Sequence, residues 1–478
     1  MRNLILASVS AAAMMMAGAA MAAPNSSVTD QNGVSQTVNV YQNGGVSDTS
    51  VVIQGFPAAG PGNNNTATVN QQGTQTSIAN VIQGNSGAGG NTASVTQAGY
   101  DQSAFSYQYG TGNSATINQS GDNGPLAATG IDHVGDVATV AIPKVIGLDN
   151  QANVAGTLAG TMVGATLVQD HAANSSASIT QVGNYQGAAL VQVYTNGGTA
   201  SITQNGGGGS NKAFTFASGD NQNSTVIQQG SSNVSDVEQV AALGSGNSNA
   251  FVTQTGNNNQ AKVLQTGNAN TSTTYQSGNY NIASTKQSGT NSFATINQYG
   301  TNGNSTIEQS NTNNHATSSQ SDDQQTSSII QTGANNNATV AQSGFKNVSN
   351  VTQSGSNNTG NITQSGSNGL SDLTQSGDWN TATLNQTATA ATSRSQIIQS
   401  GYANSADVYQ SAANDISKLR QLGDWGTAVV QQQAAGVTSV INQTSGDHNS
   451  ANVYQNVSAG AQSLVNQAGS YNTATIYQ

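Results

Sequence analysis

The chain has 478 residues, of which only 6% are charged and 5% aromatic, with no cysteine and a net charge of −11. Nine lysine and arginine residues cannot supply the phosphate contacts of a nucleic-acid-binding protein, and the absence of cysteine excludes disulfide bonds and thiol chemistry. So few aromatic residues argue against a conventional globular core, and the bias towards Asn, Gln, Ser, Gly and Thr is by itself typical of a disordered chain.

The first 22 residues predict a secretory signal peptide. Arg2 provides the positive end, the run from Leu4 to Ala20 is apolar, and Ala20, Met21 and Ala22 form a small-residue cleavage motif. A membrane anchor is the alternative for such a run, but this one is rich in Ala and Gly and no comparable run follows it. We therefore expect cleavage after Ala22, export from the cell, and no insertion into a membrane.

The rest of the chain divides into four segments by the regularity of its repeats. Residues 23–120 carry degenerate repeats, and residues 121–168, which contain two prolines, form an irregular insert or a set of degenerate coils. Residues 169–253 carry loose repeats, and residues 254–478 carry regular ones. The regular segment therefore defines the repeating unit.

Glutamine recurs every eleven residues through much of the regular segment. A disordered chain has no need of a register, so this spacing indicates a stacked repeat architecture. We expect these glutamines to form a structural ladder. They are Gln254, Gln265, Gln276, Gln287, Gln298, Gln309, Gln320, Gln331, Gln342, Gln353, Gln364, Gln375 and Gln386.

Each repeating unit combines a short strand with a tight turn. Counting from its glutamine, a unit has Gly at position +2, Asn at +5, Ala at +7 and an aliphatic residue at +9. Positions two residues apart share one face of an extended chain, and the residues between Gly and Asn favour turns. The clearest units contain Gly256, Asn259 and Ala261, then Gly333, Asn336 and Ala338, and then Gly377, Asn380 and Ala382.

We therefore predict an all-β fold, a β-solenoid of stacked strand-turn-strand coils with two units, or about 22 residues, in each coil. Its core contains Ala, Ile, Val, Leu, Asn and Gln in this prediction, and its outward face carries Thr, Ser, Asn and Tyr. One coil cannot fold alone, because it buries too little apolar area to offset the entropy of ordering it. Stacking pairs the backbone groups of neighbouring coils and lets the inward amides form ladders along the axis.

These residues resemble the repeat of curlin, the major subunit of bacterial curli fimbriae, whose unit is S-x5-Q-x-G-x-x-N-x-A-x3-Q. The same spacing occurs from Gln108 to Gln119 and from Gln399 to Gln410. The resemblance implies a secreted functional amyloid that polymerises with itself into surface fibres for cell adhesion and biofilm matrix. It also implies a nucleator subunit and an outer-membrane secretion channel as partners. Curlins carry a non-repeat segment for that channel, whereas the first unit here opens at Gln31, close to the predicted cleavage site.

No group of residues has the spacing of a catalytic, cofactor or metal site, so we expect no enzyme activity. Asp322 and Asp323 lack the glycine-rich repeat of calcium-binding solenoids, and only two glutamates, Glu238 and Glu308, are present for acid–base chemistry. The four histidines have no ligand spacing, and we expect them at solvated turn or surface positions. They are His133, His171, His315 and His448.

The last unit runs through Asn472, Ala474, Ile476 and Gln478, which complete the repeat pattern. Soluble repeat proteins cover their terminal repeats with polar caps, and this unit has no such residues. We expect these four residues to form an assembly edge that receives another copy of the chain, head to tail.

Two other functions are compatible with the sequence. In the first alternative, the chain is a secreted β-solenoid adhesin or matrix protein that does not polymerise, and residues 121–168 form its binding surface. In the second, the column of Thr and Ser at position +8 binds ice, although the column breaks at Asn350, Asn361 and Asp372. The preference of Thr for solvated strands explains the column equally well.

Overall fold

The computed structural model describes residues 25–55, 62–84, 89–121, 164–206, 210–241, 246–387 and 389–478. These ranges consist of β-strands and turns and contain no helix. They belong to two compact units, one of which ends at Gly246 while the other begins at Asn247. The predicted signal peptide and residues 122–163 of the predicted irregular segment lie outside the described ranges.

The first unit contains seventeen strands in its described residues. They are β1 Ser26–Gln31, β2 Gly33–Val34, β3 Thr37–Asn43, β4 Thr49–Gln54, β5 Gly62–Asn63, β6 Thr66–Gln75, β7 Ile78–Gly84, β8 Thr92–Tyr100, β9 Ser103–Thr111, β10 Ser114–Ser120, β11 Gly164–Ala173, β12 Ser176–Gly183, β13 Gly187–Val193, β14 Thr199–Gly206, β15 Lys212–Ser218, β16 Asn223–Gln229 and β17 Val234–Val240. The last residues of the predicted irregular segment, 164–168, therefore belong to β11.

The second unit contains twenty-one strands in the part of it that the structure describes. They are β18 Asn249–Asn257, β19 Gln260–Gln265, β20 Thr271–Asn279, β21 Ile282–Gln287, β22 Phe293–Gln298, β23 Asn304–Gln309, β24 His315–Gln320, β25 Thr326–Gln331, β26 Asn337–Gln342, β27 Val348–Gln353, β28 Thr359–Gln364, β29 Leu370–Gln375, β30 Thr381–Gln386, β31 Arg394–Gln399, β32 Ser405–Gln410, β33 Ile416–Gln421, β34 Thr427–Gln432, β35 Thr438–Gln443, β36 Ser450–Gln455, β37 Gln462–Gln467 and β38 Thr473–Tyr477. Most of them have six residues.

The strands of each unit stack in parallel as two ladders, called here sheet 1 and sheet 2. In the first unit, sheet 1 runs β1, β4, β7, β9, β11, β13, β15, β17. Sheet 2 of that unit runs β3, β6, β8, β10, β12, β14, β16, and β2 and β5 form a short separate pair. In the second unit, odd-numbered strands form sheet 1 and even-numbered strands form sheet 2.

Successive strands alternate between the two sheets, so one coil contains one strand of each. Through much of the second unit the residues that pair in neighbouring coils are 22 positions apart, as with Asn337 and Thr359. The structure thus confirms the predicted β-solenoid and its coil length. Strands β10 and β12 pair in register although residues 122–163 separate them in the chain, so the coils on either side of that segment stack directly on each other.

The alternating pattern of the sequence decides which residues enter the core. In β26 the residues Ala338, Val340 and Gln342 are buried, while Asn337 and Thr339 point outwards. A shift by one residue would place polar Thr and Asn inside, which fixes the register of each strand. Longer repeats place their extra residues in turns: residues 387–393 separate β30 from β31, and both strands keep six residues.

The outward face of sheet 1 differs from the prediction in part of the first unit. The predicted polar face is wrong at β13, where every residue from Gly187 to Val193 is buried. An apolar cluster covers this side, because the outward positions carry bulky apolar residues instead of Thr or Ser. Its members are Phe105, Val168, Ala189, Val191, Val193, Phe214 and Phe216.

Candidate functional site: amide ladders and coil edges

A ladder of glutamine side chains runs through the core of each sheet in the second unit. In sheet 2, Gln276 Nε2 donates to Gln298 Oε1 at 2.9 Å, and Gln298 Nε2 donates to Gln320 Oε1 at 2.8 Å. This pattern continues without a break from Gln254 to Gln478. Sheet 1 repeats it from Gln265 to Gln467.

The thirteen glutamines singled out in the sequence thus divide between two ladders. All are buried, with at most 2% of the residue surface exposed. Gln254, Gln276, Gln298, Gln320, Gln342, Gln364 and Gln386 lie in sheet 2, and Gln265, Gln287, Gln309, Gln331, Gln353 and Gln375 lie in sheet 1.

Each ladder has a direction, because the glutamine amide also contacts the backbone. Gln276 Nε2 donates to the carbonyl of Gln260 at 2.9 Å, and Gln287 Nε2 donates to the carbonyl of Thr271 at 3.1 Å. A carbonyl oxygen can only accept a hydrogen bond, so these contacts fix which end of the amide is the donor. Every donor in the ladder therefore points towards the next coil along the chain.

The first unit carries the same ladders with one interruption. In sheet 2 the ladder joins Gln42 to Gln228. In sheet 1 it joins Gln31 to Gln192 and stops there, because the register places Ala217 opposite Gln192. The buried Gln192 Nε2 has no hydrogen-bond partner among the described residues.

The asparagine at position +5 forms a second kind of ladder at the turn. Asn336 Nδ2 donates to the carbonyl of Gly355 in the next coil at 2.7 Å, and its Oδ1 accepts the backbone N–H of Asn358 at 2.9 Å. Asn380 and Asn259 make the same two contacts with their next coils. The side chain thereby satisfies backbone groups that the turn takes out of the strand ladder.

The glycine at position +2 is required by the close approach of neighbouring turns. A Cβ atom on Gly333 would lie 1.7 Å from the carbonyl oxygen of Gly355, and one on Gly256 would lie 2.0 Å from that of Gly278. Gly377 has the same contact with Gly401 at 2.0 Å. The glycine column therefore brings successive turns into backbone contact, which a side chain would prevent.

Position +7 differs between the two sheets, which the sequence analysis missed. Ala338 and Ala382 lie in sheet 2, and Ala261 lies in sheet 1, all three buried. From β23 onwards, however, sheet 1 carries serine at this position, namely Ser305, Ser327, Ser349, Ser371, Ser395, Ser417, Ser439 and Ser463. Comparing every second unit, rather than every unit, would have revealed the difference.

The predicted assembly edge lies on the last strand. Ala474 and Ile476 are half-buried and pack against the core of the second unit, while Gln478 accepts a hydrogen bond from Gln455. Within the described residues, β38 pairs only with β36. Its inward positions are therefore more exposed than the equivalent positions in the coils before it, such as Ala451 and Val453.

A coil edge of the first unit lies on β1. Its inward residues Thr29 and Gln31 are exposed, although their partners in the next coil, Val52 and Gln54, are buried. Among the described residues, β1 pairs only with β4. Both coil edges thus present inward-facing side chains on a strand that pairs with a single neighbour among the described residues, which is the usual template for adding a further strand.

A column of exposed aromatic rings follows the turns after the last strands of sheet 1. The centroids of Tyr402 and Trp425 are 5.5 Å apart, those of Trp425 and His448 are 6.0 Å apart, and those of His448 and Tyr471 are 5.0 Å apart. Trp425 and Tyr471 are 52% and 75% exposed. These four residues are 23 positions apart in succession, and that spacing could have revealed the column, of which sequence reasoning had noted only an isolated histidine.

The other predicted surface features are more scattered. His171 lies between the rings of Tyr109 and Tyr194, 3.0 Å from Asp170, and His315 lies near Phe293. His133 falls outside the described ranges. The Thr column on the outward face is interrupted where Asn350 Nδ2 donates to Asp372 Oδ1 at 2.8 Å.

One carboxylate replaces an amide inside a turn ladder. Asp415 occupies position +5 after Gln410 and is fully buried. Burial raises the pKa of the Asp415 carboxyl to about 6, and backbone hydrogen bonds, including those from Val437 and Ala412, oppose this rise. No cluster of three or more His, Asp or Glu residues able to hold a metal occurs in the described ranges.

Comparison with known proteins gives one result. The family model of the curlin associated repeat matches residues 90–121, 267–300 and 333–366. Each match covers three successive strands, for example β26, β27 and β28 in the third. No curated protein matches the chain. None of the described segments is a helix long and apolar enough to cross a membrane.

Proposed function

We propose that this chain, a curlin-repeat protein, is a secreted structural subunit that polymerises end to end into curli-like extracellular amyloid fibres. The observation that carries the proposal is the pair of directional amide ladders, which run from Gln254 to Gln478 and from Gln265 to Gln467 and lead to a coil edge. A ladder of this kind gains one further set of hydrogen bonds for each coil that is added.

The energetics of stacking support polymerisation. A coil is stabilised by the neighbours on both of its sides, so an edge coil lacks half of these contacts. At β38 the half-buried side chains of Ala474 and Ile476 would become buried against a further coil, as Ala451 and Val453 already are. Burial of an aliphatic side chain contributes about 1.5–3 kcal/mol, so the addition of a matching coil is favourable.

The biological role that we propose is cell adhesion and formation of a biofilm matrix. It rests on the curlin-repeat match and on the predicted signal peptide. A nucleator subunit and an outer-membrane secretion channel are the partners that such a role implies. The low content of charged residues fits a protein that assembles mainly with itself, since few charges oppose the contact of copies.

The test is to purify residues 23–478 and follow the protein by electron microscopy with thioflavin fluorescence. We expect unbranched fibres that bind the dye. The edge variant is Ile476→Lys, which places a charge on an inward position, and its matched control is Thr475→Lys on the outward side of the same strand. An inward charge blocks strand addition, so we expect the first variant to stop elongation and the second to form fibres.

A protein that stays monomeric at high concentration would contradict the proposal. It would favour the second candidate, a non-polymerising adhesin, for which the exposed aromatic column at Trp425 and Tyr471 is the supporting observation. Equal elongation by the Ile476→Lys and Thr475→Lys variants would also contradict it, because growth would then not use the edge of β38.

A further inference from the structure

The two coil edges carry matching sequences. The edge strand of sheet 2 reads TATIYQ over residues 473–478 in the second unit, and it reads TVNVYQ over residues 37–42 in the first unit. In sheet 1 the corresponding strands read QSLVNQ over residues 462–467 and SSVTDQ over residues 26–31. The final glutamines coincide in both comparisons, as they do in most pairs of neighbouring coils inside the units, for example Gln432 with Gln455 and Gln54 with Gln83.

The hydrogen-bonding groups of the two edges are complementary. Gln478 Nε2 donates to the carbonyl of Gln462 and, within the described residues, to no glutamine. At the other edge, Gln42 Nε2 donates to Gln71, while no glutamine of the described ranges donates to Gln42 Oε1. The donor end of the sheet 2 ladder in the second unit can therefore meet the acceptor end of the sheet 2 ladder in the first unit of another copy.

The backbone groups of the two edges are complementary as well. Inside the units the first N–H of a strand donates to the carbonyl of the residue that precedes the neighbouring strand of the same sheet in the following coil. Ser450 donates in this way to Asn472 at 2.7 Å, and Thr37 donates to Asn65 at 2.8 Å. Thr473 has the equivalent position at the edge of β38. Its N–H would donate to the carbonyl of Gln36 in a second copy, because a carbonyl oxygen accepts two hydrogen bonds.

The outward side chains also continue from one edge to the other. The rings of Tyr454 and Tyr477 stack with centroids 5.0 Å apart and planes at 11°. Tyr41 occupies the same position of the repeat on β3, and both Tyr41 and Tyr477 are well exposed, at 59% and 76%. Aromatic pairs add about 0.5–1.5 kcal/mol beyond the burial of their area.

We propose that the contact between two copies has one defined register, in which β1 of one copy pairs with β37 of another and β3 pairs with β38. This inference rests on the proposed function, since it describes the junction of the proposed fibre. Inside the junction Ile476 stacks on Val40 and Gln478 on Gln42. On its outward side Tyr477 stacks on Tyr41, and Thr475 lies beside Asn39.

The opposite assignment, in which β38 pairs with β1, is less favourable for two reasons. Chain order places a sheet 1 strand before a sheet 2 strand in every coil, so the position next to β37 would remain empty. The register would also set the ring of Tyr477 against the charged Asp30. The defined register instead places Tyr477 on Tyr41 and Ile476 on Val40, which are like pairs, as inside the units.

Disulfide trapping tests this register, because the chain has no cysteine of its own. Neighbouring parallel strands place paired Cα atoms about 4.8 Å apart, which suits a disulfide bond. Chains with Thr475→Cys are mixed with chains carrying Asn39→Cys, and a matched mixture replaces the second partner by Val28→Cys. All three positions point outwards, and each variant is checked for fibres beside the unsubstituted chain before oxidation.

We expect a disulfide-linked dimer from Thr475→Cys with Asn39→Cys, and no such dimer from Thr475→Cys with Val28→Cys or from Thr475→Cys alone. The reverse result, or a dimer from Thr475→Cys alone, would overturn the register. Fibres that form without any disulfide in the first mixture would also overturn it, while the proposed function would stand. Failure of the unsubstituted chain to form fibres would remove the proposed function and this inference with it.

Discussion

Replacement of Gln353 by leucine is the most direct test of the amide ladder. Gln353 Nε2 donates to Gln375 Oε1 at 2.8 Å and to the carbonyl of Asn337 at 3.0 Å, and its Oε1 accepts from Gln331 Nε2 at 2.8 Å. Leucine fills a similar volume in the core but can make none of these bonds. The substitution therefore removes the polar contacts and leaves the packing largely intact.

The expected cost follows from the three lost hydrogen bonds. Each contributes about 1 kcal/mol, and the buried Gln375 Oε1, left without its donor, adds a desolvation cost of about 1–3 kcal/mol. The greater apolarity of leucine returns about 2 kcal/mol. We expect the substitution to lower the local free energy of opening by about 2–4 kcal/mol.

Native-state hydrogen exchange of the backbone amides is the appropriate measurement, because stacked repeats need not unfold in one step. The amides of β25, β27 and β29 should exchange roughly 30- to 700-fold faster in the Gln353→Leu variant. The matched control is Gln433→Leu at an exposed turn position, for which we expect almost no change. Equal exchange in the two variants would refute a stabilising role for the ladder.

Replacement of Gln353 by glutamate tests the direction of the same ladder. The carboxylate can accept from Gln331 as before, but it faces two acceptors, Gln375 Oε1 and the carbonyl of Asn337. Burial and these acceptors raise the pKa of the new carboxyl above the unfolded value of about 4.3. Stability should therefore be lowest at neutral pH and recover on acidification. A variant insensitive to pH would contradict the assigned direction.

Three further predictions follow from single contacts. Gly355→Ala should destabilise its coil strongly, because the added Cβ would lie 1.9 Å from a backbone oxygen. Gly460 has positive φ but open space around it, so Gly460→Ala should lower the free energy of urea unfolding by only about 1 kcal/mol. Asp415→Asn should stabilise the chain at pH 7. The raised pKa of about 6 makes the contribution of Asp415 to native stability highest below pH ~4, and this contribution falls as the pH rises to 6. The variant should lose this dependence when unfolding is measured across pH. Ser417→Ala removes a buried hydroxyl without a hydrogen-bond partner among the described residues, so it should raise the urea midpoint. Ser349→Ala breaks hydrogen bonds to Gln342 and Gln364, so it should lower the urea midpoint. Equal shifts would contradict the difference between the two hydroxyls.

The solenoid could be predicted from the sequence because its period is imposed by the backbone. Two short strands and two tight turns need about 22 residues, and each strand must present alternate residues to the core. Gln, Asn, Ala and the aliphatic positions therefore repeat with fixed spacing, and the structure has this coil length. The extra residues before Arg394 and Ser450 did not obscure the period, since they lie in turns.

Contacts between side chains of different coils were harder to predict. The eleven-residue repeat treats both sheets as equivalent, so the serines of sheet 1, such as Ser417 and Ser439, were not distinguished from the alanines of sheet 2. The apolar outward face of β13, Gly187–Val193, was missed because only the inward positions of this strand follow the repeat pattern. Its outward positions depart from that pattern. Such local differences depend on what packs against each strand, which the period alone does not specify.

The conformation of the turns could also be predicted only in part from the sequence. The residue at position +4 adopts positive φ in most coils of the second unit, and it is often Asn, as at Asn335 and Asn357. Asparagine tolerates this conformation, which fits the turn prediction. However, Trp379 and Trp425 adopt it as well, with φ of 59° and 57°. Aromatic side chains in this column project from the turns, so rings separated by more than twenty residues in sequence come into contact.

The direction of the amide ladders has a consequence for how copies of the chain can meet. In both units every glutamine-to-glutamine bond of the ladders has its donor in the earlier coil and its acceptor in the following coil, as Gln31 donates to Gln54 and Gln455 donates to Gln478. Two edges of the same kind would therefore bring donors against donors or acceptors against acceptors. Only unlike edges satisfy the amides, so the proposed fibre is polar and its two ends differ in chemistry. Growth rates at the two ends should consequently differ, because an incoming copy presents acceptors at one end and donors at the other.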